Sequence, residues 1–113
     1  MKLLHEELLV PRIRTIFASD LSDRQAVQVP IDGRAPVALY RLGETFYATD
    51  DVCTHGEASL SDGDIDGHEI ICPFHLGAFD IRSGEATRPP CVVPLRIYGV
   101  VVDADGVVAI DID

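Results

Sequence analysis

Four residues in two short segments hold the chemistry available to this sequence. Cys53 and His55 lie in Cys53-Thr54-His55; after sixteen intervening residues, Cys72 and His75 lie in Cys72-Pro73-Phe74-His75. Soft thiolates combined with imidazoles select transition metals over calcium and magnesium, which take oxygen ligands. A structural zinc site more often pairs like with like, as Cys-x2-Cys followed by His-x3-5-His. Here each segment supplies one thiol and one imidazole. That suits a centre with two chemically different metal ions, each segment giving one ligand to each ion. The competing readings are a single structural zinc, or loop histidines beside buried apolar thiols with no metal. Cysteine occurs three times in the chain, so two of them in ordered partnership with histidine favour the metal.

Strands must position these segments. Arg12 to Phe17 reads as a first strand, ended by a polar break at Ser19-Asp20. Val27, Val29 and Ile31 alternate with polar or imino positions, the period of a half-buried strand, and Asp32-Gly33 marks the turn after them. Val37 to Leu42 and Thr45 to Ala48 form a hairpin across Gly43-Glu44 that leads directly into Cys53. Between the two segments, Asp62-Gly63 and Asp66-Gly67 mark turns. The second reads as the two-residue loop of a hairpin between Ile65 and a His68–Ile71 strand. His68, beside that turn, is expected to be exposed and not a ligand. After His75, Phe79 and Ile81 alternate toward a turn at Ser83-Gly84, and Arg88-Pro89-Pro90-Cys91 forms a stiff, proline-fixed loop. Leu95 to Val102 and Val107 to Ile112 close the chain on either side of Asp105-Gly106. Short strands at regular spacing with Gly and Asp turns predict an all-β barrel or sandwich. Ahead of them, Leu4, Leu8 and Leu9 fit one face of a short helical turn stopped before Pro11, an N-terminal arm outside the chemistry.

Composition narrows the function. At 113 residues the chain has room for one domain, and its apolar fraction of 47% suits a folded globule. The net charge of −10 argues against nucleic acid or an anionic membrane as a partner. No apolar run reaches membrane-spanning length, and His5, Glu6 and Glu7 interrupt Met1-Lys2-Leu3-Leu4 before a signal peptide's apolar core can form. With two of the three cysteines assigned to metal, no disulfide framework is left, which predicts a reducing cytoplasm. No nucleophile–base pair, phosphate-binding glycine loop or nicotinamide motif is evident, so the chain reads as a carrier and not as an enzyme.

The fingerprint Cys53-x-His55-x16-Cys72-x2-His75 resembles that of the Rieske ferredoxins, and the resemblance extends over roughly residues 12–112. It implies a Rieske fold within the single domain 1–113, behind an arm at about 1–10. A small antiparallel cluster-binding subdomain, about 50–90, is then inserted in a larger antiparallel β barrel or sandwich base built from 11–49 and 91–113. It implies one [2Fe–2S] cluster, with Cys53 and Cys72 on an inner iron and His55 and His75 on an outer iron near the surface. The Arg88–Cys91 loop looks like the family's proline loop, which makes Cys91 a packing residue beside the cluster. Leu76, Pro89 and Pro90 are expected to rim the histidines, while Gly56 and Gly77 allow backbone N–H groups to approach sulfur.

The family implies a soluble, monomeric one-electron carrier meeting its partners transiently. It would link a flavin-dependent NAD(P)H ferredoxin reductase to a terminal Rieske non-haem iron oxygenase, as do the ferredoxin components of bacterial aromatic-ring-hydroxylating dioxygenase systems. The alternatives are the small subunit of an NAD(P)H-dependent nitrite reductase and a zinc-stabilised binding module. High-potential Rieske proteins carry an extra Cys in each ligand loop, where this chain has Ala58 and Phe74. After the second His they also place a Ser and a Tyr, where this chain has Gly77 and Phe79. Those differences predict a potential at the low end of the Rieske range.

Overall fold

A computed structural model describes residues 11–112. The predicted arm at 1–10 lies outside the described residues. The strands in chain order are β1 (Arg12–Phe17), β2 (Gln25–Ile31), β3 (Arg34–Leu42), β4 (Thr45–Asp50), β5 (Asp64–Asp66), β6 (Glu69–Ile71), β7 (Ala78–Asp80), β8 (Ala86–Arg88), β9 (Ile97–Tyr98), β10 (Val100–Val102) and β11 (Val107–Asp111). They form three antiparallel sheets, ordered β2-β3-β4-β9, β1-β11-β10 and β5-β6-β7-β8. Among the described residues no helix is long and apolar enough to cross a membrane.

The run Val37-Ala38-Leu39-Tyr40 explains how the sheets share a core. Successive residues of a strand point to opposite faces, so a strand buried on both sides reads as continuously apolar. All four are fully buried. Val37 and Leu39 pack with Ala48, Tyr98, Val108 and Ile110, between the β2-β3-β4-β9 and β1-β11-β10 sheets. Ala38 and Tyr40 face the other way, onto a second core that contains Cys53, Cys72, Cys91, Ile70, Phe79 and Ile81. β3 is therefore the wall between the base and the part that carries the metal donors. Arg24 adds a strut across the same junction, its guanidinium donating to the carbonyls of Ile65 (3.2 Å) and Gly67 (3.4 Å). Across the third sheet, Arg88 bridges Asp66 (3.0 Å) and Glu69 (2.7 Å).

Several boundaries differ from the sequence expectation. The predicted Leu95–Val102 strand is two strands in different sheets: β9 pairs with β4, and β10 pairs with β11. Gly99 makes the change of sheet, and a Cβ there would lie 2.9 Å from Asp111 Oδ2. β3 begins at Arg34 and not at Val37, through a register shift next to Pro36, which lacks the N–H a regular ladder needs. The hairpin between β5 and β6 turns on Gly67 and His68, one residue later than expected, since Asp66 pairs with Glu69. Gly67 takes φ +64 as the first of the two loop residues, the place where a type II′ turn calls for glycine. Gly43 does the same at φ +65 between Leu42 and Thr45.

Candidate metal centre

Each donor pair sits on a loop held shut by its own backbone. The first loop leaves β4 at Asp50 and returns through a bridge between Val52 and Ser59, with Cys53 N–H donating to Ala58 C=O (3.0 Å) and Leu60 N–H to Asp51 C=O (2.7 Å). The second joins β6 to β7. There Cys72 N–H donates to Gly77 C=O (2.7 Å) and Leu76 N–H to Cys72 C=O (3.1 Å), while Leu76 is forced to φ +62. A branched apolar residue in the left-handed region stores strain, a feature that clusters at functional sites.

Beneath the first loop lies a residue that the sequence reading missed. Asp51 is 1% exposed, and its carboxylate accepts from Ser59 Oγ (2.5 Å), Gln28 Nε2 (2.8 Å) and Ser61 N–H (2.9 Å). Burial pushes its pKa up, but hydrogen bonds from Ser59, Gln28 and Ser61 outweigh that and hold it below the ordinary carboxylate value. One buried anion thus ties both ends of the loop to each other and to β2. An Asp two places before a Cys gave no local sign of this, because its partners come from β2 and from the far end of the loop.

The loops present their donors in layers. Cys53 and Cys72 are 3% and 2% exposed, whereas His55 and His75 are exposed. The two imidazole rings lie together at the tip, with centroids 5.1 Å apart and planes at 83°. Backbone N–H groups point at the sulfurs: His55 N–H toward Cys53 Sγ at 3.4 Å, and those of Phe74 and His75 toward Cys72. Burial raises the Cys72 thiol pKa and the nearby Cys53 adds to it, outweighing those two N–H groups. The donors therefore gather as sulfur beside sulfur and ring beside ring. Two pairs of different softness fit a two-metal centre, thiolates inside and imidazoles outside.

A third loop closes the site. Residues 89–96 pack against both ligand loops: Thr54 Oγ1 donates to Val93 C=O (2.7 Å), and Cys91 Sγ lies 3.8 Å from Cys53 Sγ. Burial pushes the Cys91 thiol up to about 12. Gly77 is packed so tightly on this loop that a Cβ would meet Cys91 Sγ at 2.5 Å, while Gly56 has open space around it. Of the two glycines singled out from the sequence, Gly77 alone serves a close approach, and it serves the third loop. Around the histidines, Phe74 (64%), Leu76 (67%), Val92 (76%) and Val93 (55%) stand exposed. Leu76, Pro89 and Pro90 were expected there; Leu76 and Pro89 are exposed, and Pro90 is half-buried. Phe74, Val92 and Val93 were not singled out, since only the fold brings the third loop to the tip. His68 lies apart, in a cleft with Asp23, Arg24, Leu42, Gly43 and Gly67.

Residues 12–99 match the Rieske [2Fe-2S] domain family. The chain belongs to that family. Among its relatives, the ferredoxin CarAc of Metapseudomonas resinovorans is 48% identical over 88 residues, spanning 78% of this chain and 82% of the relative. The ferredoxin component of the p-cumate 2,3-dioxygenase system of Pseudomonas putida is 43% identical over 94 residues, 82% of this chain and 79% of the relative. A solved complex of reduced oxygenase and oxidised ferredoxin in carbazole 1,9a-dioxygenase superposes with a TM-score of 0.86 at 45% identity, covering 88% of this chain and 92% of the matched one. By contrast, a small subunit assigned to NADH-dependent nitrite reductase, from Mycobacterium tuberculosis, shares the fold (TM-score 0.82; 92% and 96% covered) at 20% identity. The Rieske cofactor is a [2Fe–2S] cluster, and the layered donor pairs of this Rieske chain fit it: two thiolates for one iron, two imidazoles for the other.

Proposed function

We propose that the chain is a one-electron carrier of the cytoplasm, a monomer that passes electrons from a flavin-dependent NAD(P)H reductase to the terminal oxygenase of an aromatic-ring dioxygenase system. The observation that carries this reading is the pair of exposed imidazoles standing over two buried thiols at one apolar tip. Cys53 and Cys72 hold the inner iron, His55 and His75 the outer one, and residues about 50–90 act as the cluster-binding subdomain on a base of 11–49 and 91–113. When bound, a Rieske cluster supplies one-electron chemistry at ~−150 to +300 mV, against ~−400 mV for plant-type clusters held by thiolates alone. The donor set accounts for the difference. Two neutral imidazoles in place of two thiolates leave two fewer negative charges to repel an added electron.

The residues of this chain divide the remaining tasks. Ile70, Phe79, Leu60 and Tyr40 exclude water from the inner thiols, being fully buried in the same core. The N–H groups of His55, Phe74 and His75 direct partial positive charge at the sulfurs and stabilise the reduced state. His55 and His75 give the electron its exit, because their edges alone among the four donors reach solvent. Phe74, Leu76, Val92 and Val93 form an apolar rim on which successive partners dock and release. Residues 52–56, 73–77 and 89–95, which supply the rim, carry no Asp, Glu, Lys or Arg. Greater sequence likeness to dioxygenase ferredoxins favours this reading over the nitrite reductase subunit. The test is single-turnover mixing of the reduced, cluster-loaded chain with a terminal aromatic-ring oxygenase. Transfer of one electron per chain, slowed by Leu76→Asp, supports the proposal. Failure to reduce any such oxygenase, together with stable co-purification with a sirohaem- and flavin-containing subunit, overturns it.

A further inference from the structure

The functional reading gives Cys91 no task beyond packing, yet its surroundings point to one. The residue is 3% exposed, and its Sγ lies 3.8 Å from Cys53 Sγ with the geometry of an S–H···S hydrogen bond. Between two free thiols either sulfur can donate. Once Cys53 binds iron as a thiolate it has no proton, and Cys91 alone can be the donor. Gly77 shows how the thiol comes to be there. A Cβ at position 77 would lie 2.5 Å from Cys91 Sγ and 3.1 Å from Arg88 O and Cys91 N, so Cys91 fills the space a side chain at 77 would enter.

We propose that Cys91 is a positioning residue that donates its S–H to the Cys53 thiolate, raises the reduction potential, and depends on glycine at 77 for room. This rests on Cys53 being an iron ligand. A donor aimed at a ligand sulfur stabilises the negative charge added on reduction, so removing it disfavours the reduced state. Gly77 and Phe79 carry no side-chain donor of their own; the donor proposed here comes from the third loop. A thiol is a weak donor, so the effect is modest.

The test is voltammetry of the cluster-loaded full chain and its variants, with iron and acid-labile sulfide counted in each. Cys91→Ala keeps the cluster and shifts the reduction equilibrium about threefold toward the oxidised form, on the order of 30 mV at ~59 mV per tenfold for a one-electron couple. Cys91→Ser, which keeps a donor at that point, stays above Cys91→Ala. A Cys91→Ala potential equal to wild type, or Ser and Ala variants with equal potentials, overturns the donor role. Loss of iron from Cys91→Ser also overturns it, since Cys91 is then a ligand. Cys53→Ser is scored separately: full iron and sulfide in that variant removes the ligand assignment itself, whatever the Cys91 variants show. Gly77→Ala retains less cluster than Gly77→Ala with Cys91→Ala, and equal retention by the two refutes the claim about room.

Discussion

Asp51→Ala isolates the anion that closes the first ligand loop. The substitution removes an acceptor for three donors: Gln28 Nε2, Ser59 Oγ and Ser61 N–H. They are not equally stranded. Gln28 is exposed and can turn to water, and Ser59 Oγ has Ser61 Oγ as another partner at 2.9 Å. Ser61 N–H belongs to the backbone of a half-buried residue and cannot turn away as a side chain can. Hydrogen bonds to a charged acceptor contribute about 1.5–3 kcal/mol, and a stranded buried donor costs about 1–3 kcal/mol. Because these contributions overlap, the expected loss is about 2–4 kcal/mol. Asp51→Asn behaves differently. Its amide oxygen still accepts from Ser61 N–H, while Gln28 and Ser59 can reorient to accept from the amide nitrogen, so the loss is about 1 kcal/mol. Urea unfolding followed by circular dichroism and visible absorbance reads both. At a slope of roughly 1–3 kcal/mol/M, Asp51→Ala moves the midpoint down by about 0.7–4 M, and the cluster absorbance goes first. An Asp51→Ala midpoint unchanged from wild type refutes the keystone role. Equal damage from Asn and Ala shows that the charge, and not the acceptor, is what matters.

Further outcomes follow from other contacts. Gly63→Ala puts a Cβ 2.0 Å from Ile71 O, next to Cys72, and should cost about 2–4 kcal/mol by overpacking; retention of cluster under chelator reads the loss. Phe79 is fully buried beside the cysteines, so Phe79→Tyr, by bringing a hydroxyl toward sulfur, should raise the potential in voltammetry. Arg82 holds Asp80 below its ordinary pKa of 3.8 through a side-chain hydrogen bond. A depressed carboxylate contributes stability above its unfolded pKa that is lost as pH falls through the folded one, so Asp80→Asn should flatten the stability–pH curve below pH 3.8 and leave it unchanged in shape near neutrality. With a net charge of −10 and no charged residue in the segments that form the rim, association with a reductase bearing a basic face should slow with added salt, while Leu76→Asp should weaken docking even at high salt; stopped-flow reduction rates separate the two.

Much of the fold can be read from the sequence because its signals are local. Alternation marks β2, and glycine at the first residue of a two-residue loop marks two hairpins. The four donors are legible for the same reason, each loop carrying its thiol and imidazole within four residues of one another. What escapes depends on pairings far apart in the chain. The Leu95–Val102 segment looks like one strand, and only its partners, β4 for one half and β11 for the other, split it. Asp51 looks like a solvent-facing turn residue until Gln28, Ser59 and Ser61 surround it. Gly63 reads as a turn glycine, yet its φ is −84, and Ile71 O leaves no room there for a side chain. Val92 and Val93 acquire meaning only because Thr54 ties their loop to the first ligand segment.

A one-electron Rieske centre tuned for delivery to an oxygenase is best examined by a redox titration monitored by EPR. Ala58 and Phe74 cannot supply the bracing disulfide of the high-potential Rieske proteins, and Gly77 and Phe79 supply no hydroxyl donors. Reduction should therefore give a paramagnetic signal that grows along a one-electron Nernst curve, with its midpoint in the lower part of the ~−150 to +300 mV range. A sample that stays silent on reduction, or a midpoint near ~+300 mV, would contradict that assignment.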